Sequence, residues 1–187
     1  GLSAADLIGA NTLNSNIGGT FYTRTSPNVL LNYSEACFLL AEAAWRGWTG
    51  AGNAQTHYEN GIKASFDYFG DKINPVDYQS YINGGNVPFS TDRDTQYEQI
   101  ITQKYLGIFP DGVEAWAEFR RTGLPAYLKP VADPYPGSVN PGEFIKKIRY
   151  VDNEYYYNEA NVSNPALNGG KGDGVNVRVW WDTGKYN

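Results

Sequence analysis

The run from Tyr33 to Trp48, YSEACFLLAEAAWRGW, constrains the fold more than any other part of the chain. Its polar residues Glu35, Glu42 and Arg46 fall near one stripe, and Glu42 and Arg46 have the favourable i, i+4 spacing of a helical ion pair. The remaining surface is apolar almost all round, so a helix here must be packed on more than one side. The rest of the chain has to supply those partners.

It does so with further helical patterns. Asn53 can cap a second helix through Phe69, on which Tyr58, Ile62, Phe66 and Phe69 share a face. Gly61, Ala64 and Ser65 are small enough to let it lie close against the alanine-rich first helix, which predicts a helical hairpin. Thr91 and Asp94 have capping-box spacing, and behind them Tyr97, Ile100, Ile101, Lys104, Tyr105 and Ile108 recur at helical intervals. Pro110 ends that helix, and Asp111 with Glu114 offers the next start. The last helix closes on EAWAEFRRTGLP, with Arg120 and Arg121 at the negative end of the dipole. Gly123 is the left-handed cap and Pro125 forbids continuation. The two arginines are also expected to tie the helix end to the loop-rich tail through acidic or carbonyl partners. The class that follows is mainly α, with tetratricopeptide-like hairpins of α-solenoid type, long irregular loops and little β structure. The hairpins do not superimpose on one strict template of about 34 residues, so no repeat count follows.

Between and beyond the helices the texture changes. Residues 1–32 read as an irregular lead-in. Residues 70–90 form a connection long enough to be functional, and KPVADPYPGSVNPGE after the last helix is loop-like. Residues 144–151 are expected to be extended and GGKGDG to be a flexible loop. VNVRVWW alternates, with Val175, Val177, Val179 and Trp181 on one side, as a short strand would.

Several function classes are disfavoured. A net charge of -5 and a pI near 4.9 do not fit a nucleic-acid footprint. No window approaches the roughly 18 uninterrupted apolar residues of a membrane-spanning helix. Cys37 is the single cysteine, in an apolar helix, so neither a disulfide framework nor a thiolate cage can form. His57 is the single histidine, which excludes a multi-histidine metal site. The carboxylate pairs Glu35/Glu42, Glu114/Glu118 and Glu154/Glu159 are close in sequence, and helix-face or helix-start roles explain the first two. Asp71, Asp77, Asp92 and Asp94 lack the spacing of a calcium loop. Lys146, Lys147 and Arg149 read as the solvated side of an extended segment. No catalytic residue, metal or cofactor is expected. With glycine first and no methionine anywhere, an upstream segment is expected to have been removed.

The blocks SEACFLLAEAAWRGW, HYENGIKASFDYFG, ITQKYLGIFPDGVEAWAEFRRTGLP, KIRYVDNEYYYNEAN and GDGVNVRVWWD, in this order, resemble the SusD/RagB family. The resemblance implies a surface lipoprotein that captures nutrients, chiefly glycans, for a TonB-dependent transporter of the SusC type. It implies helical hairpins as scaffold, a ligand site on irregular loops, no catalysis, and a lipid anchor at the outer membrane. Family members are much longer, and the lipid-bearing cysteine expected near their mature N-terminus is absent here; Cys37, inside a helix, cannot stand in. Residues 1–187 are therefore read as one domain, the C-terminal portion of such a protein. A protein-contact scaffold without ligand of its own, and a peptide receptor of the RagB type, are the alternatives.

The matching blocks are scaffold, so a binding site has to be read from chemistry. With 15 Tyr and 5 Trp the chain is rich in flat faces with a polar tip, suited to stacking on sugar rings. Tyr78 and Tyr81, with Asp77 and Asn83 as hydrogen-bonding neighbours, share the long connection and are the candidate carbohydrate-binding residues. Tyr155, Tyr156 and Tyr157 are a second group.

Overall fold

Asparagine and aspartate caps start each of the long helices. A computed structural model describes residues 21, 23–70, 77–128, 144–167, 170–180 and 182. Helix α1 (Tyr33–Trp45) is capped by Asn32, whose side chain accepts from Glu35 N, and α2 (Ala54–Phe69) by Asn53, which accepts from Thr56 N. A short α3 (Tyr78–Ile82) lies within the long connection. Helix α4 (Arg93–Gly107) is capped by Asp92 and α5 (Gly112–Thr122) by Asp111, while α6 (Asp152–Tyr157) and α7 (Glu159–Val162) follow in the tail. Two boundaries differ from expectation. Helix α1 ends at Trp45, because Gly47 at φ 78° turns the chain before Trp48. Helix α4 starts on Asp92, whose carboxylate takes Thr95 N at 2.8 Å, so the aspartate displaces Thr91 as the cap. Helix α5 stops as predicted, on Gly123 at φ 73° with Leu124 buried behind it.

The chain divides into two compact units. One takes in the described residues up to Phe119 with Gly123–Tyr127; the other takes in Arg120–Thr122 and the described residues from Leu128 onward. In the first, α1 packs on α2 and α4, and α2 on α3 and α4. Helices α1 and α4 are antiparallel: Asn32 donates to Gly107 O at one end, and Trp45 and Arg93 exchange side-chain to carbonyl bonds at the other. Phe38, Tyr58, Ile62, Tyr97, Ile100 and Ile101 form the core between them. Of the three small residues, Gly61 makes the close approach, while Ala64 and Ser65 line a surface cavity. Ser34 Oγ donates to Gly61 O at 2.7 Å, and a Cβ on Gly61 would stand 2.7 Å from the Phe38 ring.

The polar stripe of α1 turns inward, contrary to the pattern read from sequence. Glu42 accepts from Arg46 at 2.8 Å and from Tyr97 Oη at 3.3 Å. Glu35 is buried near Lys104 of α4, whose Nζ lies 2.9 Å from Glu118, 3.7 Å from Glu114 and 3.8 Å from Glu35. Leu39 and Leu40 are left exposed in its place. Burial is the largest influence on the Glu35 carboxyl and raises its pKa; Lys104 lowers it, and Glu114, Asp111 and Glu118 raise it further. An acid whose pKa is raised on folding takes up its proton more readily when folded. Its stabilising contribution is therefore present at low pH and lost as pH rises through the folded-state value. We expect Glu35→Gln to raise the thermal midpoint at about pH 7 and to flatten its fall between about pH 4 and pH 7. Thermal melts by circular dichroism test this, and parallel pH profiles for the two proteins would defeat it.

The second unit is held at Asp173, which accepts from Lys147 Nζ, from Tyr155 Oη at 2.5 Å and from Tyr150 N at 2.8 Å. Burial alone would raise this carboxyl, but the bonds from Lys147, Tyr155 and Tyr150 leave it below its ordinary value. Lys147 is thus a buried partner rather than a solvated charge, and the loop carrying Asp173 is pinned. Arg120 Nη1 donates to Lys146 O at 2.8 Å, the carbonyl contact expected of the helix end. Residues 175–180 form no strand: Val175 O accepts from Lys146 N and Lys147 N, but Val177 N and Asp182 N close turns onto Gly174 O and Val179 O, so no ladder continues among the described residues. Trp181, Asp71, most of the lead-in and the proline-rich 129–143 lie outside the described residues.

Candidate functional site

Asp77, Tyr78, Tyr81 and Asn83 come together on α3, but most of their chemistry fastens that helix in place. Asp77 caps it, accepting from Ser80 Oγ at 2.7 Å and from the amides of Gln79 and Ser80; these bonds, that of the Ser80 hydroxyl foremost, hold its carboxyl below the ordinary value. Asn83 donates to Gln79 O at 2.8 Å. The Tyr78 and Tyr81 rings pack on Phe66 of α2 with centroids 5.5 and 5.1 Å away, and Tyr81 Oη bonds to Gln103 of α4. The loop that follows is clipped by Gln99, whose Nε2 donates to Asn86 O and Pro88 O while its Oε1 accepts from Ser90 N.

Tyr78 has a further neighbour that leads to a groove. Lys63 Nζ stands 6.0 Å from its ring centroid and pairs with Asp67 at 2.9 Å. These two charges, with Asn60, Tyr68 and Ser65 of α2 and Tyr33 at the start of α1, line a cavity of about 370 Å³. Tyr33 is 72% exposed, and both members of the Lys63–Asp67 pair are open to solvent. A phenol face, an amide, a carboxylate and an ammonium around one concave surface are the groups that bind a polyhydroxylated ring: C–H edges on the aromatic faces, hydroxyls on the polar atoms. The sequence reading missed this groove. Its signal was Asn60, Lys63 and Asp67 on the side of α2 away from Tyr58 and Ile62.

Other candidates resolve structurally. Glu42, Glu118 and Glu154 accept hydrogen bonds from Arg46, Lys104 and Asn158. His57 Nε2 bonds with Ala51 O at 2.8 Å. The three tyrosines 155–157 lie on α6, where Tyr155 bonds to Asp173 while Tyr156 and Tyr157 are exposed. Among the described residues no group of three His, Cys, Asp or Glu side chains could hold a metal ion, and no helix is long and apolar enough to cross a membrane.

The model of the SusD-like family, described as Susd and RagB outer membrane lipoprotein, matches residues 3–182. The chain belongs to this family. A chitin-binding SusD homolog from Flavobacterium johnsoniae is 32% identical with a TM-score of 0.69, covering 83% of this chain and 36% of that one. A SusD homolog from Bacteroides thetaiotaomicron is 30% identical with a TM-score of 0.73, covering 86% of this chain and 40% of that one. One from Bacteroides vulgatus is 31% identical with a TM-score of 0.73, covering 91% and 39%. This SusD-like chain therefore spans well under half the length of these solved relatives. No curated protein matches it. The helical hairpins agree with the fold expected from the sequence.

Proposed function

We propose that this chain is the glycan-receiving part of a non-enzymatic nutrient-binding lipoprotein, lipid-anchored at the cell surface, that passes oligosaccharides to a SusC-like TonB-dependent transporter. The observation that carries the proposal is the family match over residues 3–182, and the chitin-binding relative names a first ligand class to try. The groove beside Tyr33 and Lys63 is the proposed point of contact, with Tyr78 near the Lys63 ammonium. Tyr81, Asp77 and Asn83 contribute by holding Tyr78 in position.

Titration calorimetry with N-acetylglucosamine oligomers and a panel of plant and host oligosaccharides tests this. Tyr33→Ala and Tyr78→Ala should each weaken the ligand found by about tenfold, the equivalent of about 1.4 kcal/mol. Binding that survives both substitutions unchanged would remove the groove from the proposal. Release of reducing ends by the purified protein would overturn the non-enzymatic reading. A second reading, a protein-contact scaffold, draws on the exposed Leu39 and Leu40 of α1. Retention of the transporter by a protein that binds no oligosaccharide would favour it.

A further inference from the structure

Among the described residues of the helical unit, Glu35 is the buried carboxylate without a hydrogen-bond donor in reach. Only 8% of the residue is exposed, and its nearest cation, Lys104 Nζ, stands 3.8 Å away, beyond hydrogen-bond reach, because that ammonium is turned to Glu118 at 2.9 Å. The carboxylate lines a cavity of about 410 Å³ that is separate from the bulk of the groove above. Asp111 and Glu114 line the same cavity. Asp111 is explained as the cap of α5, bonded to the amides of Val113 and Glu114, and helix starts suit acidic residues in general. Glu35 also sits in a first turn, but it is buried, and the cation it faces stands 3.8 Å away and is bonded to Glu118.

The rim of the cavity carries large apolar side chains beside the polar Ser26 and Asn28. Leu30 is 89% and Val113 77% exposed, with Leu31 and Phe109 beside them. A cation alone would satisfy the acidic floor and leave this rim in water; a sugar would cover neither well.

We propose that this cavity receives an arginine side chain of a partner polypeptide, its guanidinium meeting Glu35 and Glu114 and its apolar neighbours covering Leu30, Leu31 and Val113. Arginine fits better than lysine because its planar fork can bond a carboxylate through two parallel N–H groups. Complementary charge supplies the specificity and the apolar rim supplies the contact area.

The test uses the 187-residue protein, labelled with nitrogen-15, and two probes, acetyl-Leu-Arg-Leu-amide and the same peptide with citrulline, which keeps the shape and removes the charge. The arginine peptide should shift the amide signals of Glu35, Val113 and Glu114 and bind about tenfold more tightly than the citrulline peptide. Glu35→Gln should abolish that preference without weakening the citrulline peptide. Val113→Ser, on the exposed rim, should weaken both peptides alike, and it tests the apolar contact independently of Glu35. Equal affinity for the two peptides, shifts confined to other surfaces, or tighter binding of glucosamine oligomers at the same amides would each overturn the assignment.

Discussion

Replacing Lys104 with methionine is expected to cost about 3–5 kcal/mol of folding stability, the range seen when one partner of a buried ion pair is removed. The lysine is 3% exposed and its ammonium serves Glu118, Glu114 and Glu35 at 2.9, 3.7 and 3.8 Å. Methionine keeps most of the aliphatic stem, so little packing is lost. What is lost is the positive charge facing Glu118, itself 4% exposed, together with the nearby Glu35. Urea unfolding at neutral pH should show the loss, and acidification that protonates the carboxylates should return part of it. Lys104→Met combined with Glu118→Leu should recover much of the remainder, because an apolar pair of similar volume has no charge to desolvate. A single variant that unfolds at the wild-type urea concentration would mean that water already solvates the cluster.

This cluster also marks where sequence reading stopped short. The caps Asn53 and Asp111, the glycine stop at Gly123 and the close approach at Gly61 were all legible, because each is a local rule about one backbone position or one small side chain. Lys104 was legible too, as a cation at the helical spacing of Tyr97, Ile100 and Ile101, but its partners were not. Glu35 and Glu42 read as the outer stripe of α1 because their own helix gives no sign of what faces them; on α4, Lys104 faces Glu35 and Tyr97 faces Glu42. The end of the chain failed for a related reason. The alternation of Val175, Val177 and Val179 is a pattern that a strand needs, yet a strand also needs a continued ladder, and beyond the bonds to Val175 O the segment folds into turns. The groove at Tyr33 was hidden because its lining comes from the starts and middles of different helices, and no window of sequence contains it. The long connection held the predicted tyrosines, but packing on Phe66 claimed much of their surface.

Phe38→Ala is expected to cost about 3–5 kcal/mol, the usual range for deleting a buried phenyl ring. The ring is 1% exposed and packs between two glycines, one on each neighbouring helix. A Cβ on Gly61 would stand 2.7 Å from it, and one on Gly107 would stand 3.3 Å from it and 2.8 Å from Ser34 Oγ. The backbones of α2 and α4 therefore approach α1 at the places where no side chain stands in the way. Tyr58, 6.3 Å from the Phe38 ring by centroid, closes the same layer and cannot shift to fill the space while its hydroxyl donates to Val87 O at 2.7 Å. The cavity left by alanine should thus remain largely unfilled. The reverse substitution tests the same contact from the other side: Gly61→Ala should cost about 1–3 kcal/mol by overpacking. Gly61→Ala combined with Phe38→Leu should cost less than the two single changes together, because the smaller side chain makes room for the new methyl group. Strict additivity in urea unfolding would show that the glycine is chosen for some other reason, and that helices α1 and α2 owe their separation to residues elsewhere along the pair.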